Sequence, residues 1–101
     1  MADKRRPTYD LTSIQRSAAR MTMTRAALSG AADMGMTRQE MEDVICALTR
    51  KDFYKSTTSF HDHRVWMDVY YGRTEDHEIY IKFVQDAVTE FSCTSFKEND
   101  P

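Results

Sequence analysis

The spacing of apolar residues changes near residue 53, and this change divides the chain into a helical half and a strand half. Before it, residues 41–48 place apolar side chains at positions i, i+3, i+4 and i+7, which is the stripe of an amphipathic helix. After it, residues 78–84 alternate apolar and polar side chains, as a half-buried strand does. Helices followed by strands predict an α+β fold in which the helices pack on an antiparallel sheet.

Helix start and stop signals divide the first half into three helices. Asp10 or Thr12 is positioned to cap the first helix, and Thr24 is positioned to cap the second. Gly35 is typical of a helix end, and Thr37 with Glu40 fits a capping box. The predicted helices are residues 11–20, residues 25–34 and a third that begins after the capping box, with a break or a short extended piece at 21–23.

The second half predicts four strands joined by polar connections. β-branched and aromatic residues are dense from 65 to 71, which favours a strand there. The predicted strands are residues 56–60, 65–71, 78–84 and 88–96, the connections are 61–64, 72–77 and 85–86, and a frayed tail is expected from 97 to 101.

The chain length of 101 residues fits a single domain spanning 1–101. No apolar run approaches the roughly 18 residues that cross a bilayer, and no apolar segment follows the basic N-terminus as it would in a secretory signal. Cys46 and Cys93 lack the spacing of a zinc site, so both are expected to be reduced, buried thiols. These features predict a cytoplasmic protein without a membrane partner.

The charge is unevenly distributed along a slightly acidic chain. A pI of about 5.9 argues against strong non-specific nucleic-acid binding. Residues 1–25 nevertheless carry six basic residues against two acidic ones, while residues 76–101 carry the reverse. The basic quarter fits a local phosphate-facing patch, and it fits equally well a solvated helix face beside a frayed terminus.

Side-chain alternation places possible chemistry on the open face of the sheet. If Ile81 and its apolar neighbours Ile79 and Phe83 face the helices, Tyr80 and Lys82 face away, where a tyrosine and a lysine can stack a base and contact a phosphate. Any half-solvated sheet face has the same appearance. Lys55 is placed to stabilise a charged phosphorane. His63 lies in a polar connection, where an imidazole suits proton transfer but is also an ordinary turn residue.

Several short motifs occur in a fixed order along nearly the whole chain. They are Pro7, Leu11, Thr24-Arg25, Ala27-Leu28, Ala32-Asp33-Met34-Gly35, Asp52-Phe53-Tyr54-Lys55-Ser56, Asp62-His63, Trp66, Asp68-Val69-Tyr70, Tyr80, Lys82 and Ser95-Phe96-Lys97-Glu98. Together they resemble the motility quorum-sensing regulator (MqsR) family, the toxins of bacterial type II toxin–antitoxin pairs. The block from Asp52 to Ser56 is the most specific part of the resemblance.

The resemblance implies the RelE-like fold of mRNA interferases, with three N-terminal helices on a C-terminal antiparallel sheet. It implies an endoribonuclease that cleaves mRNA at short GC-containing triplets. This activity is expected to require no metal, no other cofactor and no ribosome. The implied partner is an antitoxin encoded in the same operon, with the free toxin monomeric. The family's functional lysine and tyrosine correspond to Lys55 and Tyr80, and we expect His63 as a second acid or base.

Substrate contacts are expected from Thr57, Met67, Tyr71, Lys82 and Arg73. Three of these positions depart from the family pattern that the resemblance implies: the glutamine is Met67, the methionine is Thr57 and the basic residue is Tyr71. Methionine cannot donate a hydrogen bond, although it can pack against a base. Two alternatives therefore stay open: a catalytically weakened homologue that binds an antitoxin-like repressor in transcriptional control, and a purely structural interaction protein.

Overall fold

The structure is a computed structural model that describes residues 2–99. It is an α+β fold with three helices on one face of a six-stranded, mostly antiparallel sheet of order β1-β3-β4-β5-β6-β2. The elements are β1 (Asp3–Lys4), α1 (Leu11–Ser17), β2 (Thr22–Met23), α2 (Arg25–Asp33), α3 (Arg38–Ala47), a 3-10 turn (Arg50–Asp52), β3 (Phe53–Thr58), β4 (Trp66–Arg73), β5 (Glu78–Asp86) and β6 (Glu90–Glu98).

The helix boundaries follow the capping residues that the sequence predicts. The Asp10 carboxylate accepts the N–H of Ser13, so Asp10 rather than Thr12 caps α1. Thr24 caps α2, and the capping box of Thr37 and Glu40 starts α3 with both of its reciprocal bonds present. Gly35 follows α2 with a φ of 71°, the left-handed conformation that a helix end favours. The first helix ends earlier than predicted, because residues 18–20 form turns.

The bounds of β3 and β5 differ from the predicted ones. The first long strand runs over 53–58 instead of 56–60. β5 continues to Asp86, whose carboxylate accepts the N–H groups of Val88 and Thr89 and the Ser92 hydroxyl, so the turn lies at 87–89 rather than 85–86. These hydrogen bonds, that of Ser92 foremost, lower the pKa of Asp86 to about 2.

The predicted frayed tail is wrong for residues 97 and 98, which belong to β6 and pair with β5 at Tyr80 and Ile79. Asp100 and Pro101 lie outside the described residues. Two short strands complete the sheet. β1, which the sequence does not predict, pairs antiparallel with β3. The predicted break or short extended piece at 21–23 contains β2, which confirms the extended alternative. β2 pairs in parallel with β6, so the sheet is not wholly antiparallel. Strands of two residues are too short to show a periodicity.

The core lies between the helices and one face of the sheet. Ile79, Ile81 and Phe83 of β5 are fully buried there, while Tyr80 and Lys82 lie on the opposite face, as the alternation predicts. Cys93 is buried, but the prediction for Cys46 is wrong because its side chain is exposed. Cys46 follows the buried Ile45 by one residue, which turns its side chain about 100° away from the apolar stripe of α3.

None of the helices within residues 2–99 is long and apolar enough to span a membrane.

A close contact between α2 and β6 depends on Gly30. A Cβ atom at this position would overlap the backbone carbonyl oxygen of Phe96, which a helix and a strand cannot relieve by a rotamer change. Helix propensity favours alanine over glycine by about 1 kcal/mol. We expect Gly30→Ala to lower the free energy of unfolding by about 1–3 kcal/mol all the same, because steric overlap outweighs propensity. Urea denaturation measures this change.

The exposed neighbour Ser29 in α2 provides the matched control for Gly30. Ser29→Ala should leave the free energy of unfolding within about 0.5 kcal/mol of the wild type. A Gly30→Ala protein as stable as the wild type would contradict the close approach of α2 to β6.

Candidate active site

The sheet face that points away from the helices carries side chains in ordered rows across the strands. In one row Lys55 lies opposite Val69, and Val69 lies opposite Lys82 on the next strand. In the adjacent row Tyr71 lies opposite Tyr80, which lies opposite Lys97 of β6. Strand pairing therefore brings lysines and tyrosines from different parts of the chain onto one surface.

A cleft of about 600 Å³ opens at one end of this face. Both members of the predicted catalytic pair line this cleft: Lys55 lies on β3 and Tyr80 lies on β5. Its lining residues are Tyr54, Lys55, Tyr71, Tyr80, Lys97, Glu98 and Asn99. We refer to this surface as the tyrosine cleft.

A β-bulge explains why two consecutive residues reach the same cleft. The β3–β4 register shifts between Phe53 and Lys55, so Tyr54 is an extra residue in β3. Phe53 turns into the core and packs edge-on against Tyr70, with ring centroids 5.5 Å apart. In a regular strand Tyr54 and Lys55 would point to opposite faces. With the bulge, both line the tyrosine cleft.

The three tyrosines of the cleft form a continuous aromatic row. The ring centroids of Tyr54 and Tyr71 are 5.0 Å apart, and those of Tyr71 and Tyr80 are 6.0 Å apart. A lysine lies at each end: Lys55 Nζ is 5.3 Å from the Tyr54 centroid, and Lys97 Nζ is 5.4 Å from the Tyr80 centroid. The row therefore combines flat aromatic surface with positive charge.

Burial and neighbouring charges alter the titration of the groups on this face. Burial raises the pKa of Tyr80, against a smaller opposite effect from Lys55, so its hydroxyl keeps its proton at neutral pH. Burial lowers the pKa of Lys82, and the charges of Lys97 and Lys55 lower it further. Lys97 and Lys55 are thus both close enough to Lys82 for their charges to act on it.

The N-terminal strand contributes a carboxylate beside the predicted catalytic lysine. Asp3 Oδ2 lies 3.5 Å from Lys55 Nζ. A hydrogen bond with Thr57, followed by the charge of Lys55, lowers the pKa of Asp3 against the opposing effect of desolvation. Lys55 consequently has one anionic partner before any substrate arrives.

The other predicted site residues, apart from Tyr71, do not line the cleft. Lys82 shares a row with Lys55, two strands away on β5, whereas Thr57, which is largely buried, shares the next row with Met67. Arg73 is exposed and pairs with Glu78, Nε to Oε2 at 3.6 Å. His63 lies in the connection before β4. Lys55 lies opposite Val69, which is three residue steps, or roughly 10 Å, along β4 from Trp66, and His63 lies beyond Trp66 in the connection. The structure therefore does not bring His63 to Lys55, and His63 does not line the cleft.

Four of the residues that line the cleft are not among the site residues predicted from the sequence. Tyr54, Lys97, Glu98 and Asn99 are brought there by the bulge and by the extension of β6. The aromatic run Phe53-Tyr54 is visible in the sequence, but its bulge is not. Within residues 2–99, no three histidine, cysteine or acidic side chains gather as a set of metal ligands.

A second and larger cleft, of about 710 Å³, lies at the other end of the strands. It is formed at the connections before β4 and between β5 and β6, and it includes Arg20, Arg64 and Val88. None of the predicted site residues lines it, so the tyrosine cleft remains the candidate site.

The fold and cleft define a small α+β protein with a lysine- and tyrosine-lined site suited to a planar, anionic ligand. A family model described as "Motility quorum-sensing regulator, toxin of MqsA" matches residues 6–98. The mRNA interferase toxin MqsR of Escherichia coli (strain K12) is 35% identical over 98 residues, covering 95% of this chain and 98% of that protein. The chain belongs to the motility quorum-sensing regulator toxin family, which confirms the family predicted from its motifs.

The repulsion among the lysines predicts a measurable change in titration. Because the charge of Lys97 contributes to the lowered pKa of Lys82, Lys97→Met should raise that pKa towards its ordinary value. NMR titration of the lysine side chains measures the shift. Lys51→Met, at an exposed position in the 3-10 turn, is the control and should leave Lys82 unchanged. An unchanged Lys82 in the Lys97→Met protein would contradict the electrostatic coupling.

Proposed function

We propose that this chain is an endoribonuclease toxin that cleaves mRNA in the tyrosine cleft. The observation that carries the proposal is the meeting of Lys55 and Tyr80 in one cleft of a protein of this family. The relative from E. coli is named an mRNA interferase toxin, which supports the same reaction here. No contact in the described part of the chain favours the alternatives of a weakened binding module or a structural protein.

The proposed reaction uses the RNA's own hydroxyl as nucleophile. The 2′-oxygen forms a bond to the adjacent phosphorus while the bond from phosphorus to the 5′-oxygen breaks, leaving a 2′,3′-cyclic phosphate and a 5′-hydroxyl. The 2′-hydroxyl proton passes to water. In the transition state, negative charge grows on the non-bridging oxygens, and the Lys55 ammonium is placed to stabilise it.

Tyr80 is the proposed proton donor and orienting group. Its raised pKa keeps the phenol protonated at neutral pH, so it can donate a hydrogen bond to the phosphate and a proton to the leaving 5′-oxygen. Water then returns that proton to the phenolate. His63 has no part in this scheme because it lies at the far end of the strands from the cleft.

The remaining substrate contacts follow the open face away from the cleft. Lys82 would hold a second phosphate in the same row as Lys55, two strands away, and Met67 would pack against a base in the next row. Thr57 contributes little, because only 7% of it is exposed. Arg73 would reach backbone phosphates at the cleft end, where it must exchange its ion pair with Glu78.

The proposed biological setting follows from the family description, "toxin of MqsA". A small antitoxin encoded beside this chain would bind the toxin and hold it inactive, and the free toxin would be a monomer that acts on mRNA in the cytoplasm without a metal or the ribosome. The three helices and the mostly antiparallel sheet support a RelE-like arrangement.

Lys55→Ala tests the assignment of the catalytic lysine. Loss of one transition-state contact should reduce the rate of RNA cleavage about 10²–10³-fold, without abolishing folding at this partly exposed position. Purified protein is incubated with mRNA in EDTA, and primer extension locates the cleavage positions. Lys51→Ala removes an exposed lysine outside the cleft and should cleave at the wild-type rate.

Three results would count against the proposal. Intact RNA after incubation with wild-type protein would favour the binding module over the enzyme. Equal cleavage by wild type and Lys55→Ala would remove Lys55 from the mechanism. Fragments that lack a cyclic phosphate would contradict attack by the 2′-hydroxyl.

A further inference from the structure

We infer that Tyr54, backed by Tyr71, is a stacking subsite for a nucleobase next to the phosphate held by Lys55. This inference rests on the proposed function, since it places part of an RNA substrate in the tyrosine cleft. It adds a substrate-binding residue at the β3 bulge, and it assigns the aromatic row a role distinct from the chemistry at Tyr80.

The exposure of Tyr54 is the first support for the subsite. Among the described residues, four large hydrophobic side chains are more than a third exposed, and Tyr54, at 39%, is the one that lines the tyrosine cleft. Phe60 and Val88 lie in hairpin connections, and Leu28 lies on α2. Tyr54 therefore offers an accessible aromatic surface at the candidate site itself.

The ring of Tyr54 is held in place before any ligand binds. Tyr71 packs against it with centroids 5.0 Å apart and ring planes inclined by 35°. Tyr80 supports Tyr71 from the next strand, at 6.0 Å and 61°. A ring ordered in this way loses little conformational freedom when a base stacks on it, and this favours binding.

The positive charge of Lys55 over the Tyr54 ring indicates a ligand that combines a planar base with an anionic phosphate. Lys55 Nζ is 5.3 Å from the Tyr54 centroid, a separation that a phosphate and a base of adjoining nucleotides can span. An aromatic surface combined with a cation is how proteins bind unpaired nucleic-acid strands. A base in a duplex is already stacked on both sides, so the subsite selects an unpaired base without reading its identity.

Stacking can be separated from catalysis by measuring binding to an RNA that cannot react. Short single-stranded 2′-fluoro RNAs lack the attacking hydroxyl, and fluorescence anisotropy gives their Kd for the full-length protein. Tyr54→Leu should weaken binding about 5- to 150-fold, whereas Tyr54→Phe, which keeps the ring, should bind like the wild type. Phe60→Leu removes an exposed aromatic ring outside the cleft and should not change the Kd.

An abasic scan of the same RNA identifies the base that stacks. At one position, loss of the base should weaken binding to the wild type as much as Tyr54→Leu does. The two losses should not add when combined, because they remove the same contact. Full binding by Tyr54→Leu, equal loss in Tyr54→Phe and Tyr54→Leu, or additive losses at every position would each overturn the subsite.

The outcome for the subsite is distinct from the outcome for the proposed function. Unmodified RNA of the same sequence reports cleavage in parallel. If the wild type cleaves this RNA but Tyr54→Leu binds normally, the subsite is wrong and the nuclease stands. If the wild type binds through Tyr54 but leaves RNA intact, the subsite stands and the proposed nuclease is wrong.

Discussion

The buried carboxylate of Asp68 ties the N-terminal segment to the centre of the sheet. Its two oxygens accept the backbone N–H groups of Thr8 and Tyr9 at 2.9–3.0 Å. A fully buried carboxylate is tolerated only where such donors replace water. A hydrogen bond of 2.7 Å between the hydroxyls of Thr8 and Ser56 also joins this segment to β3. These contacts direct the chain towards β1, and β1 places Asp3 beside Lys55. Asp68, on the face of the sheet that carries the helices, thereby affects the surroundings of Lys55 on the opposite face.

Features of the fold could be predicted from the sequence where they depend on residues close together along the chain. The caps at Asp10, Thr24 and Thr37 involve residues three positions apart, and the alternation in β5 is equally short-range, so the sequence displays both. The bulge at Tyr54 is different, because it exists only in the register between β3 and β4. Two-residue strands are likewise defined by their partners, which is why β1 went unpredicted.

The same difference between local features and features that depend on strand pairing applies to the candidate site. Lys55 and Tyr80 were predicted because a family motif and strand alternation mark them, and the structure brings them together. The prediction of His63 rests on the chemistry of imidazole in a connection, and that chemistry contains no information on where the connection lies relative to the cleft. Tyr54 was missed for the converse reason, since regular alternation would turn it away from Lys55.

The electrostatics of the cleft account for how a chain with a net charge of −2 could bind a polyanion. Net charge sets the long-range field, but the contact energy depends on charges within about a Debye length. On the open face, Lys82 is disfavoured as an ammonium by burial and by repulsion from Lys97 and Lys55. A phosphate chain laid across these groups relieves that repulsion, whereas Asp3 relieves it only at Lys55. The cleft is thus poised for a ligand with several negative charges in a row, and salt should weaken its binding because each phosphate contact releases counterions.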